Sequence, residues 1–204
     1  MNIRSICTYL WVIVAAAFVV AIGVTFRFGF VPDELFALPS EQFAYFAASA
    51  TTSTDAAIGT PARLVIPDIG VDAKVQHVGI TKAGNIGIPT NFTDVAWYRG
   101  GPRPGQPGTS IISGHVDNAL GLAAVFKRLG ELAIGARLFV TDEHGTKVAF
   151  KVTRVAVIGY TSPEAKQLFA PTSKSQLVLI TCTGRWIKSA KTYDRRLIVF
   201  TERI

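Results

Sequence analysis

Cysteine is almost missing from this chain. Cys7 and Cys182 are the only two among 204 residues, and Cys7 lies at the start of an apolar stretch far from the rest. The folded part therefore holds one thiol and no disulfide framework. Neither His-x-His nor Cys-x-x-Cys spacing occurs, so a metal site of the usual ligand spacing is not indicated. His77 falls in a predicted strand and His144 in a turn, positions that suit a packed or solvated ring. No serine stands in a Gly-x-Ser-x-Gly elbow, which leaves Ser/His/Asp hydrolysis unsupported. Charge is sparse, at 17% of residues, and acids are scarcer than bases, giving a net +7. The cations are scattered singly, with no basic run and no aromatic-interleaved basic motif, so nucleic acid is not an expected partner. No internal repeat is visible.

What is present begins with Ile6 to Phe26, 21 residues without a charge. At ~1.5 Å per residue a helix of that length spans a hydrocarbon core of about 30 Å. Arg4 and the α-amino group precede it, and Asp33 and Glu34 follow Arg27, a bias that keeps the N-terminus inside. A cleaved signal peptide is the competing reading, given Ala15 to Ala17, but the apolar run continues past those alanines to Val24. The expected organisation is a signal anchor over residues 1–30, a juxtamembrane segment and flexible linker over 31–60, and a folded domain over 61–204. The linker reading rests on the small, polar run AASATTSTDAAIGT from Ala47 to Thr60. The domain would then lie outside the cytoplasm on a single membrane pass, where disulfides are permitted. An unpaired thiol there suggests one kept for its reactivity. Two of the 21 cationic and four of the 14 acidic residues precede Pro61, leaving 19 against 10 in the domain. Such a tethered basic domain suits anionic lipid head groups or wall polymers.

From Pro61 onward short apolar or alternating runs predict an all-β domain. The expected strands are Arg63–Ile66, Ala73–Val78, Thr109–His115, Arg137–Thr141, Lys147–Ile158, Gln176–Cys182 and Arg196–Thr201, separated by turn signals such as Pro67-Asp68 and Glu143-His144-Gly145. Two short helices are expected, at Ala119–Leu129 and Pro163–Phe169. This pattern predicts a closed or nearly closed antiparallel barrel, with the first or last strand at an edge.

The chemistry concentrates at strand ends. Cys182 closes the run LVLIT, His115 closes IISGHVD at a comparable position, and Arg195-Arg196 open the last strand. Thiol, imidazole and guanidinium are the groups that cysteine-mediated acyl transfer uses. An isolated free cysteine is more often a small buried hydrophobe, and isolated strand arginines are more often surface residues. Arg195 and Arg196 point to opposite faces of their strand. Both faces are apolar, so periodicity does not choose between them.

Five blocks in order resemble the sortases, membrane-anchored cysteine transpeptidases of bacterial cell surfaces. They are PARLVIPDIGVDAKV (Pro61 to Val75), VAWYRGGPRPGQPGTSIISGHVD (Val95 to Asp117), VFKRLGELAIGARLFV (Val125 to Val140), LVLITCTG (Leu177 to Gly184) and YDRRLIVF (Tyr193 to Phe200). The resemblance implies the sortase-type β-barrel of about eight strands. It implies Cys182 as nucleophile and His115 as the catalytic histidine. Thr181 keeps the threonine of the Thr-x-x-Thr-Cys signature, while Val178 stands where its first threonine is usual. The arginine directly before the apolar run is Arg196, with Arg195 the alternative. His115-Val116-Asp117 followed by a Val-Phe-x-x-Leu block looks most like class E and class F sortases.

The resemblance further implies cleavage of an LPxTG-like sorting signal between Thr and Gly through a thioacyl enzyme. The acyl group would pass to an amine such as a cell-wall precursor or a pilin lysine, and the signal-bearing surface proteins are the other partner. No cofactor or metal is implied for this domain. The loop from Gly159 to Gln176 would line the recognition groove; its one acid, Glu164, is too little for a strong calcium site. Trp97 and Trp186 are candidate substrate-binding residues alongside Thr181 and Arg195, with core packing the alternative for Trp97. An anchored cysteine peptidase that only hydrolyses, and a non-catalytic surface binding module, are the rival readings.

Overall fold

A computed structural model describes residues 59–82 and 84–204. The expected anchor and all of the linker before Gly59 lie outside the described residues. Among the described residues no helix is long and apolar enough to cross a membrane.

Eight strands form: β1 (Pro61–Ile66), β2 (Val71–Val78), β3 (Val95–Tyr98), β4 (Gly108–Ser113), β5 (Arg137–Asp142), β6 (Lys147–Gly159), β7 (Ser175–Ile187) and β8 (Thr192–Arg203). They close into a barrel in the order β1-β2-β3-β4-β7-β8-β6-β5. Neither expected edge exists, because β1 is bonded to both β2 and β5 while β8 lies between β6 and β7. Closure removes the open ladder that an edge strand would leave.

The barrel is not purely antiparallel as expected: β2–β3 and β4–β7 pair in parallel. Parallel neighbours need long crossovers, and residues 79–94 and 114–174 supply them. β3 escaped the sequence reading because it is four residues long with every residue buried. It therefore lacks the alternation that marks a half-solvated strand.

The expected helix over Ala119–Leu129 does not form. Asn118 Oδ1 accepts the backbone N–H groups of Leu120 and Leu122, at 2.9 and 3.0 Å, folding the chain back on itself. Gly121 turns there with φ of 74°. A local side-chain acceptor of this kind competes with helix propagation. Only a one-turn 3-10 helix, Leu129–Glu131, follows. Pro163–Phe169 is helical as expected, but as a 3-10 helix.

Two apolar clusters lie on opposite sides of the barrel wall. Leu64, Ile66, Ile112, Leu138, Phe150, Leu177, Leu179 and Val199 belong to the larger, which fills the interior. Tyr98, Ile111, Val178, Ile180 and Ile198 form the smaller on the outer face, where Ala165 and Leu168 of the 3-10 helix pack against it. Strands β4, β7 and β8 are thus apolar on both faces, as strands covered on both sides are. Leu179 is fully buried in the interior cluster. Its replacement, Leu179→Ala, is expected to lower unfolding free energy by about 2–5 kcal/mol, measured by urea denaturation.

Candidate active site

The site grows out of the parallel pairing of β4 with β7. Ile111 lies opposite Val178, and Ser113 opposite Ile180. The ladder continues past the end of β4, where Gly114 N–H donates to the Ile180 carbonyl at 3.1 Å. The Thr181 hydroxyl then donates to the Gly114 carbonyl at 2.8 Å. One further two-residue step reaches His115 and Cys182, and Cys182 pairs directly with Arg196 across the antiparallel β7–β8 ladder. Imidazole, thiol and guanidinium therefore stand in one row across three neighbouring chain segments, at the ~4.8 Å spacing of strands.

Alternation places this row on the outer face of the wall. Cys182 continues the series Val178, Ile180, and Arg196 begins the series Ile198, Phe200, all associated with the outer cluster. Arg195 points to the other face and is exposed. The register thus puts Arg196, not Arg195, beside the thiol. Cys182 lies inside β7 rather than at its end, since the strand runs on to Ile187.

Gly114 is required for the approach. A Cβ there would meet Phe126 Cδ2 at 2.6 Å and Val125 Cγ1 at 2.9 Å. The chain can therefore lie against Phe126, whose N–H donates to the His115 carbonyl at 2.9 Å. His115 is 8% exposed. Its Nε2 meets the Pro89 carbonyl at 3.0 Å. A carbonyl can only accept, so Nε2 carries the hydrogen and Nδ1 is the nitrogen left to exchange a proton. The Phe92 ring packs beside the imidazole at 5.0 Å between centroids. Burial pulls the imidazole below its ordinary value, against the opposing pull of the Pro89 carbonyl and the Asp117 carboxylate.

Burial pushes the Cys182 thiol up; the Arg196 cation opposes this, Asp117 adds to it, and a backbone hydrogen bond from Tyr193 favours the thiolate. Cys182 as a residue is partly exposed. Arg196 is 1% exposed. Its Nη1 donates to the carbonyls of Tyr193 and Arg195, at 2.8 and 3.1 Å, and its Nη2 to Thr192 Oγ1 at 2.8 Å. Burial lowers its pKa, with Cys182 and then Tyr160 acting the other way. A guanidinium anchored in this manner is a fixed positive charge and donor fork, suited to an oxyanion.

The remaining sequence candidates separate. Thr181 is buried and its hydroxyl is engaged by Gly114, so it fastens the histidine turn to β7 instead of lining a substrate surface. Trp97 is packed in the interior cluster with its Nε1 donating to the Pro102 carbonyl at 3.2 Å; it does not line the groove. Trp186 is 41% exposed on β7, four residues beyond Cys182, and remains on a surface that substrate can meet. Two residues went unmarked in the sequence reading. Tyr193 hydroxyl donates to Asp117 Oδ2 at 2.6 Å. A contact between residues so distant in the chain has no local signal in the sequence.

The family model for the sortase domain matches residues 64–204. No curated protein matches the chain in sequence. The crystal structure of sortase C-1 from Actinomyces oris is 23% identical, with 85% of this chain and 88% of that one covered at a TM-score of 0.56. A lid mutant of sortase A from Corynebacterium diphtheriae is 22% identical, covering 80% of this chain and 90% of that one at a TM-score of 0.57. Sortase A of Listeria monocytogenes is 17% identical over 70% of this chain and 86% of that one, with a TM-score of 0.52. At these identities the likeness speaks for the fold.

The opposing influences on the thiol are testable without a substrate. Alkylation of Cys182 by iodoacetamide, followed by intact mass, is expected to rise with pH around a midpoint above the ordinary thiol value of about 8.5. Arg196→Met removes the cation and moves that midpoint further up. A midpoint below neutrality contradicts the burial argument.

Proposed function

The chain belongs to the sortase family, and from that premise we propose that it is a membrane-anchored transpeptidase acting on LPxTG-like sorting signals. The observation that carries this reading is the row of His115, Cys182 and Arg196 on the partly open outer face of the wall. The Cys182 thiolate attacks the carbonyl carbon of the signal's Thr. Arg196 stabilises the oxyanion as the carbonyl opens. When the tetrahedral centre collapses, the Thr–Gly C–N bond breaks and the His115 imidazolium protonates the departing amine. The thioester is then attacked by an acceptor amine, whose proton passes to His115 as the thiolate leaves. Acid and base duties alternate on one imidazole.

With the thiol pushed up and the imidazole pulled down, neutral thiol and neutral imidazole predominate near neutral pH. The reactive thiolate–imidazolium pair is then a minor population that matures in the substrate complex. Since His115 Nε2 is engaged by the Pro89 carbonyl, Nδ1 is assigned the proton exchange. The segment from Gly159 to Gln176, packed on the outer cluster through Ala165 and Leu168, forms one bank of the recognition groove. The SGHVD block and Val125-Phe126 support placement with the class E and class F sortases. The uncharged run Ile6 to Phe26 supports a single-pass anchor with the domain outside the membrane, where surface proteins and their amine acceptors meet it.

An LPxTG-type peptide library incubated with the enzyme, with and without an added amine, tests this reading by intact mass. A peptide thioester on Cys182 and an amide product that needs the amine are expected. Cys182→Ala abolishes both, His115→Ala slows acylation roughly 10²–10⁴-fold, and Arg196→Lys costs about 10²-fold or more. Release that proceeds equally without amine and yields no amide marks a hydrolase instead.

A further inference from the structure

Tyr193 is not one of the three groups in the row, yet it touches the setting of each. Its backbone carbonyl accepts Arg196 Nη1 at 2.8 Å. Its backbone N–H acts on Cys182 in favour of the thiolate. Its phenol donates to Asp117 Oδ2 at 2.6 Å, two residues beyond His115. Its ring stands edge-on to Trp186, with centroids 5.4 Å apart and planes at 74°, and the two are direct partners in the β7–β8 ladder. A register shift between Thr183 and Trp186 separates this pair from the Cys182–Arg196 pair. Such bulges twist a hairpin locally and re-aim side chains beside active sites.

The need for this contact follows from where His115 lies. β4 ends at Ser113, so the histidine is past the last paired residue of its strand. On its N-terminal side the Gly114–Ile180 and Thr181–Gly114 hydrogen bonds hold the chain to β7. On its C-terminal side the chain enters the loop 117–123, whose tip exposes Leu120 and Leu122. The Tyr193–Asp117 hydrogen bond is the fastening on that side which reaches the strands carrying Cys182 and Arg196. Burial, and then the Asp117 carboxylate, push the Tyr193 phenol up to about 12, so the hydroxyl stays protonated and donating throughout the neutral range.

We propose that Tyr193 is a positioning residue for acyl transfer: through its hydroxyl on Asp117 it holds the His115 turn in line with Cys182 and Arg196. This rests on the three-group reading of the site given above. The hydroxyl touches no reacting atom in this role. Its removal should lower turnover while leaving peptide binding in place.

A double-mutant cycle decides it. Tyr193→Phe keeps ring and backbone and removes only the donor. The expected result is a fall in kcat of about tenfold at unchanged KM, the effect of one lost hydrogen bond. Asp117→Ala should cost a similar factor, and the double variant no more than about twofold beyond either single one. Asp117→Asn, which keeps an oxygen to accept the phenol, should recover most of the loss, each variant being assayed at its own pH optimum. Wild-type turnover from Tyr193→Phe, or multiplying losses in the double variant, overturns the proposal. So does a loss confined to KM or explained by a fallen thermal midpoint, with no recovery in Asp117→Asn. The wild type and Cys182→Ala run alongside report on the three-group reading separately. Should wild type form no Cys182 thioester, iodoacetamide alkylation of Cys182 still tests the link. Tyr193→Phe should alter its rate at least threefold at fixed pH, and an unchanged rate counts against the proposal.

Discussion

Everything at the site depends on the parallel register between β4 and β7. That register is a matter of backbone pairing, and a slip of one residue would turn Cys182 to the interior and its neighbours outward. Two features pin it: the buried pairs from Ser110–Leu177 to Ser113–Ile180, and the Thr181 hydroxyl on the Gly114 carbonyl. The second extends the alignment beyond the end of β4, where the histidine stands. On the other side, Cys182 and Arg196 are ladder partners. One residue thus serves as the centre of a row whose neighbours are set by hydrogen bonds of the main chain.

Burial then sets the electrostatic character of the row. It disfavours charge on all three groups: the thiol is pushed up, and the imidazole and guanidinium are pulled down. Mutual attraction opposes this, because the guanidinium favours the thiolate and the thiolate favours the guanidinium. Asp117 favours the protonated imidazole and disfavours the thiolate. Its position between those tendencies, with a phenol permanently donating to it, makes it more than a turn residue. The arrangement stores little reactive thiolate at rest, which limits adventitious oxidation of the sulfur.

Much of the barrel was legible because its strands carry apolar runs punctuated by Pro, Gly and Asn. Six of the strands follow from such runs with boundaries shifted by a few residues, and β6 is nearly as expected, Lys147–Gly159. What misled was the expectation that the barrel is antiparallel throughout. β2–β3 and β4–β7 are parallel, and crossovers leave no mark in strand periodicity. The stretch around Asn118 reads as helical from its Leu and Ala content, yet one asparagine side chain captures the N–H groups that a helix would need. Trp97 was open between groove and core; its partners Val95, Ile112 and Pro102 make it core.

The sequence by itself determined which chemical groups are available: a lone thiol, a histidine after Ser-Gly, and an arginine pair before an apolar strand, in a family-specific order of blocks. These are local properties, written in residue type and spacing. Only the tertiary structure decided which arginine accompanies the thiol, that Thr181 fastens a turn, and that Tyr193 reaches Asp117. Those outcomes depend on register between strands far apart in the chain. Both faces of β8 are apolar, so nothing in its periodicity distinguishes one side from the other; the pairing with β7 does.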